Sequence, residues 1–103
     1  MHKIIFKKDD YKSYKDFYLD LYKKLQGSTI PDFKDNNTLD YRADVLREFL
    51  WYCHNDNNKY IFEGFDYEKI KKQSNYNNYE WNLIFEIFNE FIKEFPNNSV
   101  SFK

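Results

Sequence analysis

Asp40-Tyr41-Arg42-Ala43-Asp44-Val45-Leu46-Arg47-Glu48-Phe49-Leu50-Trp51-Tyr52-Cys53-His54 is the stretch on which the fold turns. At helical spacing, Ala43, Val45, Leu46, Phe49, Leu50 and Cys53 share one broad apolar face, the pattern of a core helix. The opposite face carries Asp44 and Glu48 one turn apart, with Tyr41 before them and Trp51 after. Two acids flanked by aromatics on the outer side of a helix are not required for folding. A plain alternative stands beside the functional one: solvated helix faces are charged as a rule, and an outer Trp or Tyr can lie against a loop.

Working outward, the chain of 103 residues has room for one domain with a modest core, taken here as residues 1–103. Aromatic residues make up 22 %, including ten Tyr and eleven Phe, so the core is built largely of rings. Two Gly and two Pro are too few for an all-β fold with many tight turns. A net charge of −1 supplies no overall field to attract nucleic acid or an anionic membrane. No apolar run approaches a membrane span, and the start, Met-His-Lys-Ile-Ile-Phe-Lys-Lys, is not that of a secretory signal. The single Cys cannot form an internal disulfide, so a reducing cytoplasm is the expected location.

Before the central helix, Ile4-Ile5-Phe6 between polar ends predicts a buried strand. Tyr14, Phe17, Tyr18, Leu21, Tyr22 and Leu25 then repeat at three and four, with Gly27 as the stop. The composition of residues 28–39 predicts a long polar loop, with Thr38 or Asp40 expected to cap the central helix. Beyond the Asn55-Asp56-Asn57-Asn58 break, Tyr60-Ile61-Phe62 predicts a second strand. A short helix over 65–72 follows, capped by Asp66. The longest helix carries Trp81, Ile84, Phe85, Phe88, Phe91, Ile92 and Phe95 on one face and ends at Pro96. Ser99-Val100-Ser101-Phe102 predicts a third strand.

The order is β-α-α-β-α-α-β, which predicts an α/β fold: a three-stranded parallel sheet with helices packed against it. Each helix pair is a crossover long enough to keep its flanking strands parallel, and such crossovers are right-handed.

This order, together with Asp44-Val45-Leu46-Arg47-Glu48-Phe49-Leu50, resembles the barstar family, small intracellular inhibitors of bacterial ribonucleases of the barnase type. The stretch is similar to the family's Asp-Ala-Leu-Trp-Asp-x-Leu on its second helix. Ile61-Phe62-Glu63-Gly64-Phe65-Asp66-Tyr67-Glu68 is similar to its second strand and third helix. Ile87-Phe88-Asn89-Glu90 is similar to the end of its fourth helix, where an acid lies near the inhibitory surface. The resemblance implies a barstar-like domain whose second helix plugs a ribonuclease active site, its acids standing where substrate phosphates would bind. By position, Asp44 matches the first family acid and Glu48 the second, and Arg47 stands where the family often has Trp. The family's Tyr-Gly-x-Asn-Leu lead falls at 39–43, where Gly and Asn are missing. A shifted register uses Thr38-Leu39-Asp40 as the lead and moves Asp44 to the second acid. The partner-binding residues implied are Asp40, Tyr41, Asp44, Arg47, Glu48, Trp51 and Glu90, facing a ribonuclease or other nuclease toxin in a 1:1 complex.

Other classes are less well supported. Cys53 and His54 are adjacent, and neighbouring helix residues diverge by about 100°, so they cannot form a nucleophile–base pair. With two His and one Cys no metal site is expected, nor any cofactor, and no enzyme activity. The first 24 residues hold seven Lys against four Asp, interleaved with Tyr, which permits single-strand nucleic-acid binding as an alternative. A solvated amphipathic helix accounts for them more simply, and a small non-catalytic interaction domain is the remaining alternative. The favoured reading entails neither direct nucleic-acid nor membrane binding.

Overall fold

A computed structural model describes residues 2–26, 39–52, 57–72 and 79–103. The elements are β1 (His2–Lys7), α1 (Tyr14–Gln26), α2 (Leu39–Tyr52), β2 (Asn58–Glu63), α3 (Tyr67–Lys72), α4 (Tyr79–Glu94) and β3 (Ser99–Phe102). A single 3-10 turn at Lys8–Asp10 leaves β1. The expected order is the observed one, and the sheet runs β1-β2-β3 with both pairings parallel. Gly27, Thr38, Cys53, His54 and the stretches 28–37 and 74–78 lie outside the described residues.

Local chemistry sets the helix ends. At α1 the cap is Ser13, whose hydroxyl accepts the Asp16 N–H at 3.4 Å, while the Asp16 carboxylate accepts the Lys12 N–H at 3.0 Å. At α3 the expected cap holds: Asp66 Oδ1 accepts the Lys69 N–H at 3.1 Å. Because α2 begins at Leu39, Asp40 is not its cap but sits in the first turn, where a carboxylate complements the helix dipole. After Phe62 the chain turns at Gly64, whose φ of +80° disfavours any side chain. Its N–H is held by the Lys103 carbonyl at 2.9 Å.

The strands alternate, so one residue set enters the core and the other faces away. Phe6, Phe62 and Phe102 occupy one register row across the three strands. Their rings lie 5.0 Å (Phe6–Phe62) and 5.4 Å (Phe62–Phe102) apart. Phe17 of α1 meets Phe6 at 5.2 Å, and Phe85 and Phe88 of α4 each meet Phe62 at 5.2 Å. Edge-to-face ring pairs of this kind add about 0.5–1.5 kcal/mol each beyond the area they bury. Ile5 and Ile61, in the alternate set, stand outside this core cluster. At the start of β2, the buried Asn98 side chain accepts the Asn58 N–H at 2.8 Å and donates to the Phe95 carbonyl at 3.2 Å. That bond ties the first residue of β2 to the entry of β3.

Candidate partner-binding face

Helix α2 is wedged between α1 and α4. Its buried side is Ala43, Leu46, Phe49 and Leu50, with Val45 half-buried. Phe49 meets the Tyr22 ring of α1 at 4.7 Å. Toward α4 the wedge is fixed at both ends. Near the start, Arg42 Nε and Nη2 donate to the two Glu80 oxygens at 2.8 and 2.6 Å, and the Tyr18 hydroxyl donates to Glu80 Oε2 at 2.8 Å. Near the end, Trp51 packs 5.2 Å from Phe91 and 6.0 Å from Phe95, and its Nε1 donates to Glu94 at 2.8 Å. The two helices therefore run side by side in the same direction.

Glu80 is 5 % exposed, so its charge depends on these donors for compensation. The paired carboxylate holds the Arg42 guanidinium above its ordinary pKa. Burial, then the Glu80 charge, pushes the Tyr18 phenol up as well. Neither Arg42 nor Glu80 was singled out from the sequence. The signal was present, because each sits in register with its helix's apolar stripe: Arg42 four residues before Leu46, Glu80 four before Ile84.

The sequence-selected residues of α2 fall on its outer arc. Asp40, Asp44 and Glu48 are exposed, and Asp44 has 77 % of its side chain in solvent. Tyr41 is 48 % exposed. Arg47 reaches Asp44 at 3.5 Å, a long contact one turn away on the surface. Arg47, Glu48, Trp51 and Glu90 come together around one shallow crevice of about 400 Å³, joined by Tyr52. Tyr52, at 81 % exposure, was not among the expected contacts, although its place one turn after Glu48 was the available signal. Trp51 differs from the expectation of an outward-facing ring, since most of it lies against α4.

Acids recur along both helices at four-residue steps, about 6 Å of rise each: Asp40, Asp44 and Glu48 on α2, and Glu86, Glu90 and Glu94 on α4. The two helices together hold seven acids and three bases, a net −4, and the remainder of the chain is +3. The small overall charge therefore hides an uneven distribution along the chain. Of the seven lysines in the first 24 residues, Lys24 is engaged within the fold by Ile5 and Asp20. Among the described residues no group of His, Cys, Asp and Glu could hold a metal ion. No described helix is long and apolar enough to cross a membrane.

No protein-family profile matches the chain, nor does any curated protein or solved structure.

Proposed function

We propose that the chain is a protein inhibitor of a nuclease, of the barstar type, acting in the cytoplasm as the immunity partner of a ribonuclease toxin. The observation that carries this reading is the exposure of Asp44 and Glu48 on a helix clamped at both ends to α4, with Glu90 across the same crevice. A phosphate-handling cleft is lined with cations. Carboxylates on a rigid helix enter such a cleft, collect charge-assisted hydrogen bonds and exclude the substrate. Rigidity matters because the clamp has already paid the ordering cost that binding would otherwise incur. Asp40 and Tyr41 extend the contact toward the start of α2, and Arg47 asks for an acceptor on the target. Trp51 contributes an edge and a firm base beneath Glu48.

The test is inhibition of RNA cleavage by barnase-type ribonucleases, including any made by the source cell, with the wild-type chain, Asp44→Ala and Glu48→Ala. Stoichiometric 1:1 inhibition that weakens in both variants supports the reading. Wild-type inhibition by both variants moves the binding surface elsewhere, and no inhibition of any nuclease together with tight RNA binding replaces the reading altogether.

A further inference from the structure

Among the described residues β1 is an edge strand, and the side chain laid across its outer side is Lys24. Lys24 of α1 reaches down past the strand, and its Nζ donates to the Ile5 carbonyl at 2.6 Å. Asp20 holds the same ammonium at 2.9 Å, and the Phe6 ring lies 5.5 Å away. The Ile5 carbonyl therefore points away from β2. By the alternation of a strand, the backbone groups of Lys3 and Lys7 point the same way. A cavity of about 530 Å³, bounded by Lys3, Ile5, Lys24 and Leu25, runs beside them. An edge of this kind, with Ile4-Ile5-Phe6 at its centre, is a template for another strand, and a lysine laid across it is a recognised way of closing one.

We propose that Lys24 keeps the chain monomeric by occupying the β1 edge, and that without its ammonium a second copy of the chain pairs there, β1 against β1. The partner follows from the strand itself. Antiparallel pairing must set edge-facing residues opposite one another, and the two registers that overlap most of His2–Lys7 place the two-fold at Ile4 or at Ile5. Centring on Ile5 sets Lys3 against Lys7, like charges directly opposed and disfavoured. Centring on Ile4 sets Lys3 against Ile5 and His2 against Phe6, with no like charges facing. In that register the hydrogen-bonded Lys3–Ile5 pair uses the carbonyl that Lys24 now covers. The two sheets then join into six strands, with both helical layers on the same face.

The experiment measures mass in solution by light scattering over a range of protein concentrations, with thermal melting to confirm that each variant is folded. Lys24→Met keeps the aliphatic stem and loses the donor, and Lys24→Ala is the second variant should the first not fold. The expected result is a monomer near 12.8 kDa for wild type and a twofold mass for the variant. Lys3→Pro added to Lys24→Met removes an N–H that faces the edge and leaves the β1–β2 ladder intact, so it is expected to restore the monomer. A folded Lys24 variant that stays monomeric at millimolar concentration overturns the proposal. So does a dimer that survives Lys3→Pro, because its interface then lies elsewhere.

Discussion

Arg42 and Glu80, 38 positions apart in the chain, meet as a two-pronged ion pair at 2.6 and 2.8 Å, and this pair sets the start of α2 against the start of α4. Both side chains are largely withdrawn from water, at 17 % and 7 % exposure. A buried pair of this sort contributes little net stability over a well-packed apolar pair, but losing one partner strands the other.

Glu80→Ala is therefore expected to lower unfolding stability by about 3–5 kcal/mol, because the Arg42 guanidinium and the Tyr18 hydroxyl lose their common acceptor. Glu80→Gln, which keeps shape and an acceptor, costs less. Urea unfolding at pH 7 separates the two. Equal stability of wild type and Glu80→Ala would show that the pair does not hold the helices together.

Asp44→Ala and Glu48→Ala are expected to leave stability within about 0.5 kcal/mol, since both side chains stand in solvent away from caps and core. Against a target they are expected to cost about 2–5 kcal/mol of binding each, the range for truncating one partner of a buried, hydrogen-bonded charge pair. On the proposed barstar-type reading the family's second acid dominates, so the matched register makes Glu48 the larger loss and the shifted register makes it Asp44. Phe49→Ala is the contrasting control: it opens the α1–α2 contact and costs about 3–5 kcal/mol of stability. Val45, half-buried, gives a smaller loss.

Tyr22 has a fully buried ring whose hydroxyl has no hydrogen-bond partner among the described residues. An unmet hydroxyl carries a desolvation cost, and removing it lifts that cost while leaving the ring contact with Phe49 in place. Tyr22→Phe is expected to raise stability by up to about 1 kcal/mol at pH 7. A fall of that size in a thermal melt would mean that the hydroxyl is satisfied in solution.

Alkaline pH gives an independent check. Burial raises the pKa of Tyr11, Tyr14, Tyr18 and Tyr22 in the folded chain. Below about pH 10, the ordinary phenol value, folded and unfolded chains both keep these protons and the contribution is fully present. Above it the unfolded chain loses them first, so stability falls as pH rises, by at most about 1.4 kcal/mol per pH unit for each fully buried phenol. Tyr18 and Tyr22 dominate, because Tyr11 and Tyr14 are partly solvated. Urea midpoints between pH 8 and 11.5 are expected to fall less steeply in a Tyr18→Phe, Tyr22→Phe double variant than in wild type.

Strand positions were legible because Ile4-Ile5-Phe6 and Tyr60-Ile61-Phe62 are short apolar runs between polar breaks, and Asp66 announced its helix through ordinary capping chemistry. The outward placement of Asp44 and Glu48 was legible from helical period alone. What one sequence does not carry is which charges meet across helices. Arg42 and Glu80 each mark their own stripe, but nothing local pairs them. Asn58 and Asn98 were hidden in a different way: in asparagine-rich surroundings the residues that fold inward look like their solvated neighbours. Trp51 looked outward by period, yet the breadth of an indole lets it reach α4 from the margin of the face.

The parallel sheet has a consequence for the making of the protein. His2 pairs with Asn58 and Lys59 with Ser99, so paired residues lie 56 and 40 positions apart in the chain. Among the described residues the sheet contains no hairpin, the quick local route to a sheet. The sheet cannot be complete on a growing chain until β3 has been synthesised. Until then the helices must associate through their own apolar stripes, with the Phe6 and Phe62 rings still seeking a strand partner. Folding dominated by such distant pairings is slow for the size of the domain. For that interval, the strand Ile4-Ile5-Phe6 is unpaired apolar surface of the kind that invites aggregation and that chaperones cover.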